Sequence, residues 1–215
     1  MQPTAVSTAA MLALHGSLRA GEACALTWAD VDTDGLVIRV NKAIGLGNGG
    51  AYLKHTKNNA SNRIVNITQD LSRKLAQRRE AVIRELAETE TLLLPEQFAK
   101  LYVCGTISGG FLNPQILTRK WQTIAEEHTI MGTEGKRATF HTLRHGYATV
   151  AIASGIDVAS IAGQMGHSNV AVTLNTYTSP TASGKRDAAS TMSDVLHPSG
   201  SNAELLSLDH TGTDG

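Results

Sequence analysis

Between residues 141 and 177 the chain reads HTLRHGYATVAIASGIDVASIAGQMGHSNVAVTLNTY. Two histidines and an arginine (His141, Arg144 and His145) open a segment that is otherwise small and apolar, and Tyr177 closes it. On a helix, successive residues stand about 100° apart, so these three fall within one arc of roughly 100°. Leu143, Tyr147, Val150, Ala151 and Ile152 cover most of the other directions, which predicts a helix packed on nearly all sides. A buried arginine is costly unless it is paired. From Lys136 to Ile156 there is no acidic residue. Either a carboxylate reaches Arg144 from elsewhere in the fold, the commoner case for one arginine, or the anion is a ligand.

The rest of the chain supplies matching chemistry. Arg19 lies in HGSLRAGEACALTW, between two helical stretches and beside Gly16 and Gly21. Lys57 stands at the tip of an expected hairpin, and His167 follows a helix-ending glycine. Two arginines, a lysine, two histidines and a tyrosine can hold a phosphodiester, attack it and protonate the leaving group. Each also has a plainer reading. His141 and Arg144 fit a polar network in a helical core, and Tyr177 fits a core or interface tyrosine. His167 fits a dipole-stabilised cap. Lys57, with Lys54 close by, fits a solvated hairpin tip, and Glu22 fits a salt bridge with Arg19. His15 and His145 are read as structural. A metal reading of His141 and His145, at i and i+4, is disfavoured, because Thr-Leu-Arg lies between them where a metalloprotease has glutamate after the first histidine and because a nearby arginine repels a dication. No metal and no cofactor is expected.

These side chains need a scaffold. Residues 5–15, 20–27, 69–90 and 113–131 read as helices, with Pro114 in a first turn where its missing N–H does no harm. Three helices follow at 141–154, 157–165 and 169–175, with Asp157 and Ser168 as N-caps and Gly166 as a stop. GLVIRV, AYLKHT and SNRIVNIT read as strands of a three-stranded antiparallel sheet over residues 35–68, with GLGNGG as a flexible connection and KNNAS as a polar tip. YVCG at 102–105 reads as a short buried strand or turn, and a last helix is expected from Ser183 to Leu196. The expected class is α+β, mainly α-helical with a small three-stranded antiparallel sheet. Without β-α-β alternation, a doubly wound fold is disfavoured.

The 215 residues are 41% hydrophobic, enough for a core. No apolar run approaches the roughly 20 residues of a membrane helix, and the N-terminus lacks the basic start of a signal peptide. Cys24 and Cys104, far apart with no CxxC, are read as buried thiols in a reducing, cytoplasmic setting. Net charge is zero, yet residues 1–185 carry 18 Lys+Arg against 14 Asp+Glu, and residues 186–215 carry 1 against 5.

HTLRHGYAT, QMGHSNVAVTLNTYTSP and GSLRAGEACALTWADVD resemble, in order and spacing, the signature boxes of the tyrosine recombinase (phage integrase) family over roughly residues 5–195. The combination is H-x-x-R, then G-H, then a tyrosine ten residues after that histidine, with L-R-x-x-E upstream. The resemblance implies the family's catalytic-domain fold and a site-specific DNA recombinase that cleaves and rejoins strands through a covalent 3′-phosphotyrosine. It implies that Arg19 and Arg144 clamp the scissile phosphate and that Lys57 is the general acid. His141 then assists proton transfer at the nucleophile, His167 hydrogen-bonds the phosphate, Tyr177 attacks, and Glu22 supports the arginine and histidine network. It also implies double-stranded DNA as partner and a homotetramer on paired sites, with a monomer expected in the absence of DNA. Family members usually carry an N-terminal DNA-clamping domain. Only 18 residues precede Arg19 here, so the chain is expected to be a fragment, with a catalytic domain at 1–197 and a disordered tail at 198–215. The alternative is a non-catalytic helix-turn-helix DNA-binding regulator, built on the helices around Gly166.

Overall fold

The computed structural model describes residues 3–55, 62–132 and 135–167. Lys57, Tyr177, the helices expected at 169–175 and 183–196 and the tail from 198 lie outside the described residues. Two helices begin the chain, α1 (Ala5–Gly16) and α2 (Ala20–Ala25), followed by a 3-10 turn at Trp28–Asp30. Strands β1 (Val31–Asp32), β2 (Val37–Val40), β3 (Lys42–Gly47), β4 (Gly50–His55) and β5 (Arg63–Asn66) come next. Helices α3 (Gln69–Glu88), α4 (Pro95–Phe98), α5 (Pro114–Glu127), α6 (Phe140–Ala153) and α7 (Val158–Met165) complete the described part.

The mainly helical architecture with a small antiparallel sheet agrees with the sequence reading, but the strand pairing differs. The three-stranded sheet has the order β1-β2-β5 and draws its third strand from Val31–Asp32. AYLKH does belong to β4, but it pairs with β3 in a separate two-stranded ladder. GLGNGG is no flexible connection. Its first half belongs to β3, and Asn48-Gly49 is the two-residue loop that lets Gly47 pair with Gly50. Asn-Gly between strands is a strong hairpin signal. In the larger sheet, β2 alternates buried Ile38 and Val40 with exposed Arg39, and Ile38 pairs with the fully buried Val65 of β5.

The helix ends follow local chemistry. Thr68, Asn113, Thr139 and Asp157 cap α3, α5, α6 and α7, each accepting a hydrogen bond from a backbone N–H of the first turn. Gly166 ends α7 at φ 66. Leu71, Leu75, Val82 and Leu86 turn one face of α3 inward. With Leu12, Leu18, Ile38, Val103 and Leu117 they belong to one continuous core. A smaller cluster of Ala148, Ala151, Ile161 and Met165 joins α6 to α7. Helix α6 is less enclosed than its sequence suggests, since His141 and Thr149 are exposed and Val150 is 66% exposed. Both cysteines are free and buried, and burial pushes the Cys24 thiol up to about 12.

Candidate active site

The site begins at a backbone kink. Helix α1 stops at Ser17, which takes the left-handed conformation (φ 54, ψ 28) and is fully buried. A non-glycine residue there costs about 1–2 kcal/mol. Its carbonyl accepts from Nη1 of Arg144 and its hydroxyl donates to the Gln164 carbonyl at 3.3 Å, so the kink is tied to α6 and α7. Two residues on, Arg19 is the N-cap residue of α2. Gly21 lets this turn approach β3, because a Cβ there would lie 2.5 Å from the Ile44 carbonyl oxygen.

Three arginines converge on the C-terminal end of α7. A helix end leaves carbonyls without intrahelical partners and carries partial negative charge. Arg63 Nε donates to the Gln164 carbonyl (2.9 Å), Arg144 Nη2 to Met165 (2.7 Å) and Arg19 Nη2 to Gly166 (3.1 Å). The Gln164 side chain accepts from the Asn66 N–H (3.3 Å) and donates to the Asn66 carbonyl (2.7 Å), fastening α7 to β5. Arg144, 2% exposed, thus has its guanidinium on two main-chain carbonyls from α7 and the α1–α2 kink.

Glu22 is the buried acid of this assembly. It accepts from both terminal nitrogens of Arg63 (3.1 and 2.9 Å), from Arg19 Nη1 (2.9 Å) and from the Arg19 backbone N–H (2.9 Å). Burial alone would push its carboxyl up. The hydrogen bond and charge of Arg63, joined by Arg19, outweigh that and hold it below the ordinary carboxylate range.

Arg19, His141 and Arg144 line one cleft of about 300 Å³, with Leu18, Ala20 and Gly21 beside them. Partial loss of water around its ring lowers the His141 pKa, and Arg144 and Arg19 lower it further. His145, whose ring meets that of His141 edge to face at 4.3 Å, is lowered by burial, by His141 and by Arg144. His167 falls to about 4, through burial first and then the charges of Arg144, Arg19 and Arg63. These imidazoles are therefore neutral near pH 7 and can each offer one N–H and one lone pair.

Of the residues singled out from sequence, Arg19, Glu22, His141 and Arg144 come together, and His167 stands close enough to feel the same arginines. Arg63, Gln164 and Ser17 were not picked out. A lone arginine opening a strand looks solvated, and nothing in one dimension pairs it with a glutamate 41 residues away.

The model of the phage integrase family matches residues 2–183. A tyrosine recombinase XerC-like protein of Caldanaerobacter subterraneus subsp. tengcongensis is 28% identical over 197 residues, covering 86% of this chain and 48% of that protein. Transposase A from transposon Tn554 of Staphylococcus aureus is 28% identical over 169 residues, 78% of this chain and 41% of that protein. The chain spans about half the length of the curated relatives it matches. The fold resembles that of the Tn1549 transposon integrase, solved in complex with circular intermediate DNA, with a TM-score of 0.66 and 22% identity over 86% of this chain and 59% of that one. Because the family match runs through every element that builds the arginine cluster, the chain belongs to the phage integrase family and carries its tyrosine recombinase catalytic-domain fold.

Proposed function

We propose that this chain is the catalytic part of a site-specific DNA recombinase that cuts and rejoins double-stranded DNA. The observation that carries the reading is the convergence of Arg19, His141 and Arg144 on one cleft, from helices more than 100 residues apart in sequence. Guanidinium forks suit the non-bridging oxygens of a phosphodiester and stay charged throughout. Arg19 and Arg144 hold the scissile phosphate, and His167 hydrogen-bonds it. The Tyr177 oxygen attacks phosphorus as its proton leaves with help from His141. A phosphotyrosine bond forms at the 3′ end, the bond to the 5′ oxygen breaks, and Lys57 protonates that oxygen. Free tyrosine titrates near 10, so attack at neutral pH needs this assistance. The phosphoester is conserved, so rejoining is the same path reversed and needs no ATP.

The partner is duplex DNA, with two sites paired in a homotetramer and a monomer in its absence. The XerC-like and transposase relatives support recombination chemistry. The helix-turn-helix regulator is not favoured, since it gives the buried arginine cluster no task.

The test is incubation with a nicked suicide duplex carrying the cognate crossover site, followed by a denaturing gel. A covalent protein–DNA band is expected, and Tyr177→Phe abolishes it while leaving duplex binding intact. Duplex binding without any covalent band from the wild-type chain would overturn the catalytic reading in favour of the regulator.

A further inference from the structure

We infer that Arg63 is a positioning residue that takes up the charge of Glu22, so that Arg19 keeps its own positive charge for the anion in the cleft. The inference deepens the recombinase reading and rests on it. One carboxylate serves two guanidiniums here, and it serves them unequally. Arg63 presents both terminal nitrogens to Glu22, at 3.1 and 2.9 Å, in the bidentate fork that carboxylates favour. Its third donor, Nε, closes on the Gln164 carbonyl at 2.9 Å. The side chains of Arg63 and Glu22 are only 7% and 4% exposed, so their charges meet in the interior, where screening is weak. Arg19 gives Glu22 a single side-chain N–H and leaves its side chain 42% exposed on the cleft.

The consequence is a division of labour. The buried pair is neutral in itself and acts as a fixed support for Arg19. Two guanidiniums against one carboxylate leave a net positive charge, and the cleft-lining arginine is the one that carries it outward. With Arg63 gone, Glu22 would be left to Arg19 alone. The Arg19–Glu22 pair would be neutral, and the guanidinium would be drawn towards its carboxylate and away from the cleft. Arg63 opens β5, directly after the segment that holds Lys57, so its two anchors also secure the strand on which that segment ends.

The experiment is a titration of the full chain with inorganic phosphate at pH 8, followed by the imidazole resonances of His141. Arg63→Gln is expected to weaken phosphate binding about tenfold, the size of one misplaced charge at this range. Arg63→Lys, which keeps the charge and loses the fork, is expected within about threefold of wild type. Arg63→Gln combined with Glu22→Gln is expected to recover to within about threefold, and Glu22→Gln alone to bind at least as tightly as wild type. A network needed only for shape predicts the reverse: Lys as poor as Gln, no recovery in the double variant, and weakened binding in Glu22→Gln. Any of these, or an unaffected Arg63→Gln, overturns the inference. If Arg63→Gln does not fold by thermal unfolding, Arg63→Lys and Glu22→Gln decide by the same criteria. A wild-type chain whose His141 does not respond to phosphate overturns the phosphate-cleft reading itself, and the inference with it.

Discussion

At the scale of single residues, the site is a problem in placing cations at the edge of a protein interior. Arg144 is buried and set on two carbonyls whose dipoles point at its guanidinium. Arg144→Lys keeps the charge but cannot bridge the carbonyls of Ser17 and Met165 with a planar fork. It is expected to lower covalent adduct formation about 10²–10³-fold, the range for losing one preorganised donor, while duplex binding stays nearly unchanged. Adduct formation at the wild-type rate would remove Arg144 from the reaction. The titrating groups set the response to acid. His167 and His141 bind protons more weakly folded than unfolded, so the unfolded chain takes up more protons as pH falls below the ordinary histidine pKa, and for His167 this window reaches down to about 4. Stability therefore falls as pH drops through that window. Glu22, held low by Arg63 and Arg19, acts in the same direction, since its contribution is present above the ordinary carboxylate pKa and is lost as pH falls through its lowered one. Thermal unfolding measured from pH 7 to pH 4 should show a declining Tm, with a shallower decline in His167→Gln. A Tm that rises on acidification would contradict the neutral-histidine assignment.

At the scale of elements, the site depends on two close approaches. The first is α2 against β3, where Gly21 faces the Ile44 carbonyl oxygen with 2.5 Å available to a Cβ. Gly21→Ala would gain helix propensity on an isolated helix. Here the methyl meets backbone that cannot rotate away, so the variant is expected to lose about 1–3 kcal/mol by overpacking, read as a lower denaturation midpoint. Because Arg19 and Glu22 stand on the same turn, adduct formation should fall with it. An unchanged midpoint would mean that α2 does not sit this close to β3. The second approach is α7 against β5, where the Gln164 side chain meets both polar groups of the Asn66 backbone and Arg63 meets the Gln164 carbonyl. This contact sets the end of α7, from which His167 and the segment towards Tyr177 continue.

At the scale of the whole molecule, charge balance would govern the DNA affinity that the proposed recombinase reading requires. The net charge is zero, and acidic residues outnumber basic ones 5 to 1 after residue 185. The attraction available to duplex DNA comes from the mildly basic part before it. Each phosphate contacted releases counterions, so the logarithm of the association constant should fall linearly with the logarithm of salt concentration. Weak binding that collapses between 50 and 200 mM salt is the expected outcome of a mobility-shift titration on the isolated chain, with the salt values those of the general rule. Tight binding that ignores salt would require an interface of a different kind.

Among the described residues, the sequence by itself determined the family and every helix except the short α4 at Pro95–Phe98. These rest on local chemistry: Asp157 as an N-cap, Gly166 as a stop, and the spacing of HTLRH and G-H along one chain. The fold brings Arg19, Glu22, His141 and Arg144 close together. The pairing of the strands was decided only by the tertiary structure. Val31–Asp32 is too short to stand out, and it becomes a strand because β2 offers it an edge. The same holds for the fate of the buried charges. Alternation in RIVN places Arg63 at a strand start but says nothing about Glu22, because a salt bridge across 41 residues exists only when α2, β5 and α7 are packed together. Local rules act over a few residues, whereas desolvated charges are satisfied by whatever the fold brings within 3 Å, and that is a property of the folded chain alone.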